Sequence, residues 1–148
     1  MDIVRAKRGD CKEISKLRRR AIIGSKKSEY SSCLLKSNSF EGIKEEFISS
    51  QVFSLVNNKK IIGNVSLVSN KIDGLYVHPK FFRRGIGRAL LNYVELYVIN
   101  KGINSLYLYS TKDSVGFYFK CGYKPINVAY SFNTIKPLVF IRMEKKLI

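Results

Sequence analysis

The sequence has few residues that could bind a metal ion or form disulfide bonds. It contains one histidine and three cysteines, and Cys11, Cys33 and Cys121 lie far apart along the chain. Such a sparse set supports neither a zinc site of cysteine and histidine ligands nor a disulfide framework. Free cysteines are typical of proteins in a reducing compartment. We therefore expect a cytoplasmic protein without a bound metal.

Long apolar runs are also missing from the chain. No run approaches the ~20 apolar residues that a membrane-spanning helix needs. The opening sequence, MDIVRAKRGD, lacks the continuous apolar segment of a signal peptide. We expect a protein that is not exported and makes no contact with a membrane.

Acidic residues are scarce in comparison with basic ones. The chain has 11 Asp and Glu against 27 Lys and Arg, which gives a formal net charge of +16. A surface of this charge attracts anions such as phosphates, acidic proteins and nucleic acid, and it disfavours a polycation as substrate. The same charge could also serve solubility alone. The charge therefore indicates the sign of a partner but not its identity.

The length and the periodicity of the sequence favour one mixed domain. A chain of 148 residues is long enough for a single domain with a hydrophobic core, so we expect one domain over residues 1–148. Residues 3–7 alternate as in a strand, and Asp10 with Glu13 resembles a capping box at the start of a helix. Residues 24–39 predict a loop or a short irregular helix, and residues 40–48 predict a further helix.

The second part of the chain alternates between strand and helix patterns. A hairpin is predicted around Asn57 and Asn58, and the next strand ends at His78 because Pro79 cannot continue a ladder. The predicted order is β-α-(α)-β-β-β-α-β-α-β-β. This order predicts an α/β (α+β) fold with a mixed central sheet of six or seven strands and about four helices on its faces.

The segment FFRRGIGRALL, residues 81–91, places glycines and arginines at the start of the clearest amphipathic helix. The first amides of a helix lack backbone partners, and the helix dipole adds partial positive charge there. Glycine lets the backbone approach a phosphate closely. Together with Arg83, Arg84 and Arg88, this segment predicts a binding site for a pyrophosphate.

Two common phosphate-binding motifs do not fit this segment. A P-loop requires a lysine and a hydroxyl residue after its last glycine, and none follows Gly85 at that spacing. A dinucleotide fingerprint requires a third small residue, where this chain has Leu90, and an acidic residue ~20 positions later, which is missing near Ser105.

Two stretches of the chain resemble the GCN5-related N-acetyltransferase (GNAT) superfamily. LYVHPKFFRRGIGRALL is similar to the acetyl-coenzyme A loop of that family, with Phe82 where the motif has Gln or Arg. SVGFYFKCGYKP is similar to the second family signature, in which Tyr118 precedes the pair Gly122 and Tyr123 by four residues. The resemblance covers essentially the whole chain, most strongly from residue 72 to residue 125.

The resemblance implies how acetyl-coenzyme A would bind. The pantetheine arm would lie along the strand that carries Leu75, and the pyrophosphate would lie at the helix start. In this family two neighbouring strands separate at that place, so the arm can complete the open ladder. The implied cofactor-binding residues are Leu75, Tyr76, Val77, Arg83, Arg84, Gly85, Ile86, Gly87, Arg88, Ala89, Ser114 and Tyr118.

The resemblance also implies roles in acetyl transfer. Tyr118 occupies the family position of the general acid that protonates the leaving thiolate. A backbone N–H near Val77 would stabilise the developing oxyanion. Asp73, Glu29 or a water molecule could accept the proton of the acceptor amine, and the sequence does not choose among them. The reaction requires no metal.

Several other conspicuous residues have simpler structural interpretations. His78, the only histidine, is interpreted as a residue at a strand end. Cys121 is expected to pack against the second helix without acting as a nucleophile. The run of residues 18–20, three arginines, is interpreted as a solvated helix face.

The sequence leaves two functions open. The first is an acetyl-CoA-dependent N-acetyltransferase that acts on an amine of a small molecule or of a protein, with a homodimer possible because the last strand could pair at an edge. The alternative is a basic module that keeps the fold and binds nucleic acid or an acidic partner. Nucleic acid is the less favoured partner because no known RNA-binding motif is present.

Overall fold

A computed structural model describes residues 1–25, 28–132 and 136–148. The strands form one seven-stranded mixed sheet with the order β1-β2-β3-β4-β5-β7-β6. All neighbouring strands are antiparallel except β4 and β5, which are parallel. The strands are β1 (Asp2–Arg5), β2 (Gln51–Asn57), β3 (Lys60–Val68), β4 (Lys71–Val77), β5 (Ser105–Ser110), β6 (Lys124–Ser131) and β7 (Leu138–Lys146).

Five α-helices lie within the described residues, and three short 3-10 turns connect some of the elements. The predicted mixed sheet with helices on its faces is therefore confirmed, with one helix more than the approximate number expected. The helices are α1 (Cys11–Gly24), α2 (Ser28–Ser37), α3 (Phe40–Ser49), α4 (Ile86–Ile99) and α5 (Val115–Lys120).

The main hydrophobic core lies between the sheet and α4. Leu90, Leu91, Val94 and Val98 form one apolar stripe on α4 and are completely buried. They pack against side chains from the central strands, such as Val65. A smaller cluster under α1 and α3 covers the other part of the sheet. Burial of these stripes holds both helical layers on the sheet.

Helix α2 occupies most of the segment that the sequence predicts as a loop or a short irregular helix. Residues 26 and 27 of that segment lie outside the described residues. Tyr30 of α2 is completely buried, its hydroxyl donates to the Val139 carbonyl, and its ring contacts Phe140 edge-on at 5.3 Å between centroids. The tertiary contacts of Tyr30 therefore hold α2 against β7, although the serine-rich sequence gives no clear helical period.

Two local predictions in α1 are wrong. Asp10 does not form a capping box with Glu13: its carboxylate accepts from the Lys7 N–H at 2.9 Å, one turn earlier, and Glu13 accepts from the Ile61 N–H at 3.1 Å. Arg18 does not lie on a solvated face, because its side chain is only 1% exposed. Its neighbours Arg19 and Arg20 are exposed, as expected.

Arg18 lies at the centre of a buried polar network. Its guanidinium donates to Asn64 at 2.7 Å, to Asn38 at 3.0 Å and to both carboxylate oxygens of Glu46 at 3.0 and 2.8 Å. It also lies 5.0 Å from the ring centroid of Tyr76, and Asn38 donates to the Tyr76 hydroxyl at 3.1 Å. The network therefore joins three helices to the strands beneath them.

Candidate functional site

Strands β4 and β5 separate soon after they begin to pair. Their register contains only the pairs Lys71 with Tyr107 and Ile72 with Leu108. On its other edge, β4 stays paired with β3 as far as Val77. The part of β4 beyond Ile72 therefore borders a gap on the side of β5.

Backbone amides of β4 point into this gap. The His78 N–H donates to the Ile62 carbonyl at 2.8 Å, which fixes the hydrogen-bonding phase of the β3–β4 ladder. Hydrogen-bonded pairs alternate with non-bonded pairs in an antiparallel ladder, so the next bonded pair is Tyr76 with Asn64. The N–H groups of Leu75 and Val77 consequently face away from β3 and toward the gap.

The start of α4 lies at one end of the gap. Gly85 is the N-cap residue and has φ +80°, a left-handed conformation that favours glycine. Arg83 also has a positive φ, of 60°, which costs a residue with a side chain about 1–2 kcal/mol. Among the described residues, no backbone carbonyl accepts from the N–H groups of residues 83–88. The turn therefore presents several amides and the positive end of a helix dipole to the same space.

Gly87 is small for a different reason. A Cβ at this position would lie 2.9 Å from Cζ of Phe117, so α5 approaches the first turn of α4 closely at this point. The sequence explains this glycine only by the approach of a phosphate. The structure adds a packing reason, because the ring of Phe117 fills the space that a side chain would need.

A cavity of about 500 Å³ joins the gap to the start of α4. Arg83, Arg88 and Lys120 line it, whereas no acidic side chain of the described residues does. The Arg88 guanidinium also donates to the Lys120 carbonyl at 3.2 Å, which ties α4 to α5. The combination of cations, helix dipole and free amides makes the cavity suitable for an anionic ligand.

The cavity brings together most of the residues that the sequence assigns to cofactor binding. Arg84 and Ala89 do not line it, and Arg84 instead lies over the Phe81 ring, with its guanidinium carbon 5.4 Å from the centroid. The assigned residues that line the cavity are Leu75, Tyr76, Val77, Arg83, Gly85, Ile86, Gly87, Arg88, Ser114 and Tyr118.

Sequence reasoning missed further residues of this cavity. Ala21 and Ile22 at the end of α1, Leu34 of α2, Phe117 and Lys120 line its walls. The proximity of Phe117 and Lys120 to Tyr118 in the sequence could have indicated their place. The residues of α1 and α2 carry no such signal, because their distance from the gap depends on how the helices cross the sheet.

A second, smaller cavity of about 220 Å³ adjoins the first. The two share Leu34, Leu75, Tyr76, Ser114 and Tyr118, so these residues form their common wall. Asp73 lines the smaller cavity, and its carboxylate lies 3.0 Å from Nζ of Lys71. The geometry therefore consists of a cationic cavity and a small side cavity that meet at Tyr118.

Tyr118 is half-buried between other aromatic rings. Its ring centroid lies 5.2 Å from that of Phe117 and 6.0 Å from that of Tyr123. Burial, followed by the proximity of Tyr76 and Cys121, raises the pKa of Tyr118 above its ordinary value. The hydroxyl therefore keeps its proton at neutral pH and is a possible proton donor.

The alternative reactive residues lie outside the two cavities. Glu29 forms an exposed pair with Lys112 at 3.0 Å. His78 caps the following 3-10 turn, with Nδ1 accepting from the Lys80 N–H at 3.1 Å. Burial raises the pKa of the Cys121 thiol. None of Glu29, His78 and Cys121 lines either cavity.

The described residues contain neither a metal-binding cluster nor a membrane-spanning helix. In these residues, no group of three or more His, Cys, Asp or Glu side chains could hold a metal ion. None of the helices that the structure describes is both long enough and apolar enough to cross a membrane.

Solved structures with the same fold include several N-acetyltransferases. A GCN5-related N-acetyltransferase from Rhodopseudomonas palustris superposes with a TM-score of 0.88 at 17% identity, covering 99% of this chain and 95% of its own. The PaiA N-acetyltransferase of Thermoplasma acidophilum, solved with coenzyme A, gives 0.75 at 23% identity and covers 99% of both chains. An aminoglycoside 6'-N-acetyltransferase, also complexed with coenzyme A, gives 0.74 at 21% identity, covering 100% and 98%.

Comparison of the sequence itself identifies the family. No curated protein sequence matches the chain significantly. The profile of the acetyltransferase (GNAT) domain matches residues 25–147, most of the chain, including both predicted signatures. The separated strands, the cationic helix start and this match lead to one conclusion: the chain belongs to the GNAT acetyltransferase family, a family of enzymes, as its two sequence signatures predict.

Proposed function

We propose that this protein is an N-acetyltransferase that moves an acetyl group directly from acetyl-CoA to an amine. The observation that carries the proposal is the gap beside β4, which opens onto the cationic start of α4. The cavity has the amides and the positive charge that a thioester joined to a nucleotide pyrophosphate requires. The structural neighbours solved with coenzyme A support the same ligand.

Each part of the cavity has a proposed role in binding acetyl-CoA. The amide of Val77, the gap-facing residue nearer to the start of α4, bonds an amide group of the pantetheine arm, which thereby extends the sheet in the manner of an added strand. The amides at the start of α4, with Arg83 and Arg88, bind the pyrophosphate. When bound, acetyl-CoA supplies the acetyl group and the thiolate leaving group.

Tyr118 is the proposed general acid. Its hydroxyl donates a proton to the departing thiolate, and its raised pKa keeps this proton in place at neutral pH. The same burial raises the pKa of a thiol formed beside it, which offsets the unfavourable difference in acidity between a tyrosine and a thiol. The Leu75 N–H, the other amide near Val77 that points into the gap, is the proposed oxyanion donor, because Leu75 lies in the wall shared with Tyr118.

Asp73 is proposed as a candidate general base, although its carboxylate is already paired with a lysine. It lines the side cavity that meets Tyr118, but Lys71 already pairs with its carboxylate at 3.0 Å. Loss of the amine proton to Asp73 or to a water molecule follows entry of the acceptor. The Asp73→Asn variant distinguishes the two bases. A large loss of kcat is expected if Asp73 accepts the proton, and little loss if a water molecule does.

Binding of acetyl-CoA by titration calorimetry tests the first part of the proposal. Arg88→Gln should weaken binding about tenfold, because a charge-assisted hydrogen bond contributes about 1.5–3 kcal/mol. Lys101→Gln is the matched control, since it removes one positive charge just after the opposite end of α4. Wild type and Lys101→Gln should both bind acetyl-CoA saturably. Equal affinities of Arg88→Gln and Lys101→Gln would contradict the proposed pyrophosphate site.

Release of coenzyme A in the presence of amines tests the second part. Tyr118→Phe should lower kcat about 100-fold with little change in the affinity for acetyl-CoA. Tyr130→Phe is the control, because Tyr130 is an exposed tyrosine of β6 that lines neither cavity. An unchanged kcat in Tyr118→Phe would remove this residue from the mechanism.

The remaining expectations about the whole protein stay predictions. One sheet contains both β1, the first strand in chain order, and β7, the last, which supports the proposal of a single domain over residues 1–148. A cytoplasmic location agrees with Cys11, Cys33 and Cys121 being free among the described residues. The expectation that the last strand pairs at an edge is wrong, because β7 lies between β5 and β6 in the sheet. A homodimer formed by edge pairing would instead use the edge strand β6, and light scattering at several concentrations is the measurement that decides it.

A further inference from the structure

The smaller cavity has features that restrict the acceptor amine, and this inference rests on the proposed function. Acetyl transfer requires the amine to approach the thioester next to Tyr118. The smaller cavity reaches Tyr118 from the other side of the shared wall, beneath Leu34 of α2. Its size, its rings and its charges therefore describe the molecule that would carry the amine.

The size of this cavity limits how much of an acceptor it can enclose. Its volume is about 220 Å³, below the range of about 300–1,000 Å³ in which drug-sized ligands are usually enclosed. One ring with a short side chain fits such a space, whereas an aminoglycoside of several sugar rings exceeds it.

Four aromatic rings contribute to the walls of the cavity. Tyr76, Tyr109, Tyr118 and Phe140 line it together with aliphatic side chains such as Leu34. Aromatic rings favour a planar, apolar guest through edge-on and offset contacts. Phe140 is held in place by the buried ring of Tyr30, so this wall does not depend on a flexible side chain.

The charges around the cavity disfavour a second ammonium group. Asp73 is the one acidic residue of the described chain that lines it, and Lys71 neutralises that carboxylate. Nζ of Lys71 also lies 5.4 Å from the Tyr109 centroid, and the Arg142 guanidinium lies 5.8 Å from the same centroid. The cation–π positions on Tyr109 are thus used by the protein's own cations, and Glu144 pairs with Arg142 at 3.1 Å. A second ammonium group would therefore find neither an unpaired carboxylate nor an unoccupied face of Tyr109 to offset its desolvation.

Burial in this cavity favours the reactive form of a single amine. Desolvation between apolar and aromatic side chains lowers the pKa of an alkylammonium ion, which increases the fraction with a free electron pair. We infer that the acceptor is a small aromatic monoamine, in which one planar ring carries a primary amine on a short chain, and that polyamines and aminoglycosides are poor acceptors. In the transfer, the amine nitrogen forms a bond to the acetyl carbon while the carbon–sulfur bond breaks, the amine loses a proton, and the thiolate receives one.

A panel of amines with acetyl-CoA as donor tests the inference through the rate of coenzyme A thiol release. The panel contains 2-phenylethylamine and tyramine as aromatic monoamines, n-hexylamine as a non-aromatic monoamine, and spermidine and kanamycin as polycations. We expect kcat/KM for 2-phenylethylamine to exceed that for spermidine and kanamycin at least tenfold. Higher values for either polycation would overturn the inference and leave the proposed function standing.

The remaining outcomes of the panel are also decisive. If acetyl-CoA binds in calorimetry but no amine of the panel releases thiol, the acceptor class is wrong, whereas the cofactor site stands. If acetyl-CoA does not bind at all, the proposed function fails and the inference fails with it.

Two ring variants and one charge variant connect the panel to this cavity. Phe140→Leu and Tyr109→Leu should each lower kcat/KM for 2-phenylethylamine about threefold to tenfold, and the rate with n-hexylamine much less. Tyr109 is 40% exposed, so its replacement tests the wall even if Phe140→Leu does not fold. Lys71→Met uncovers Asp73 and should raise kcat/KM for spermidine at least threefold.

The control for these variants is Tyr130→Leu, which removes an exposed ring that lines neither cavity. This variant should leave kcat/KM for every amine of the panel within about twofold of the wild-type value. Equal losses for 2-phenylethylamine and n-hexylamine in both ring variants would show that the rings act on stability or on general packing, and would overturn the aromatic preference.

Discussion

The most direct test of the fold concerns Arg18, the buried cation that joins α1 to α3. Its guanidinium donates to both carboxylate oxygens of Glu46 and to the side chains of Asn38 and Asn64. Arg18→Met keeps the length of the aliphatic stem and removes every one of these donors. Glu46, 16% exposed, is then left as a largely buried carboxylate without its cation.

The expected loss of stability is large. Removing one partner of a buried ion pair costs about 3–5 kcal/mol, because the remaining charge stays desolvated without compensation. The two asparagine oxygens also lose a donor, and this adds to the loss rather than reducing it. A domain with a total stability of about 5–15 kcal/mol would lose much of it. Urea unfolding followed by circular dichroism measures the change.

Two further variants make this prediction refutable. Arg20→Met is the matched control, since it makes the same substitution on an exposed face of the same helix, and it should change the stability by less than about 0.5 kcal/mol. In Arg18→Met/Glu46→Gln the unpaired carboxylate is gone, so the double variant should be more stable than the sum of the single losses by about 1–3 kcal/mol. A loss below about 1 kcal/mol in Arg18→Met, or strict additivity, would refute the reasoning.

Three smaller predictions concern other contacts. Burial and neighbouring cations lower the pKa of His78, so its contribution to stability is present above pH ~6.5 and is lost as the pH falls through the folded pKa. His78→Asn should therefore lose less stability than wild type between pH 7 and pH 5 in urea titrations. Equal losses in the two proteins would contradict this. Lys145→Met leaves Glu95, 8% exposed, without the cation now 2.8 Å away. This variant should lower the free energy of unfolding by about 2 kcal/mol. A change below about 0.5 kcal/mol would count against a stabilising Lys145–Glu95 ion pair. Gly63→Ala places a Cβ 2.9 Å from Cδ1 of Leu90 and should lower the free energy of unfolding by about 1–2 kcal/mol in the same assay. No loss of stability would mean that the neighbouring core side chains shift to accommodate the added methyl group.

Local periodicity was sufficient for much of the fold and for the cofactor side of the site. The apolar stripe of α4, the glycines before it and the strand that ends at His78 are short-range patterns, and each appears in the structure where the sequence predicts it. Because the amides and the arginines of the cavity mouth lie within a few residues of one another, their proximity follows from chain connectivity alone. Their roles in binding and catalysis stay proposals.

Long-range packing determined the features that the sequence did not reveal. Arg18 carries the same charge as Arg19, and only the way α1 crosses the sheet places one in the core and the other in solvent. The helix α2 depends on the contact of Tyr30 with Phe140, residues that are far apart in the chain.

The sequence by itself therefore determined the order of the elements, the family and the cationic helix start, since each is encoded within a short window of residues. Only the tertiary structure decided which arginine is buried, where the two cavities meet and which rings line the smaller one. The physical reason is that burial and pairing arise between elements that meet only after the chain has folded, and their energies depend on distances that no local pattern contains.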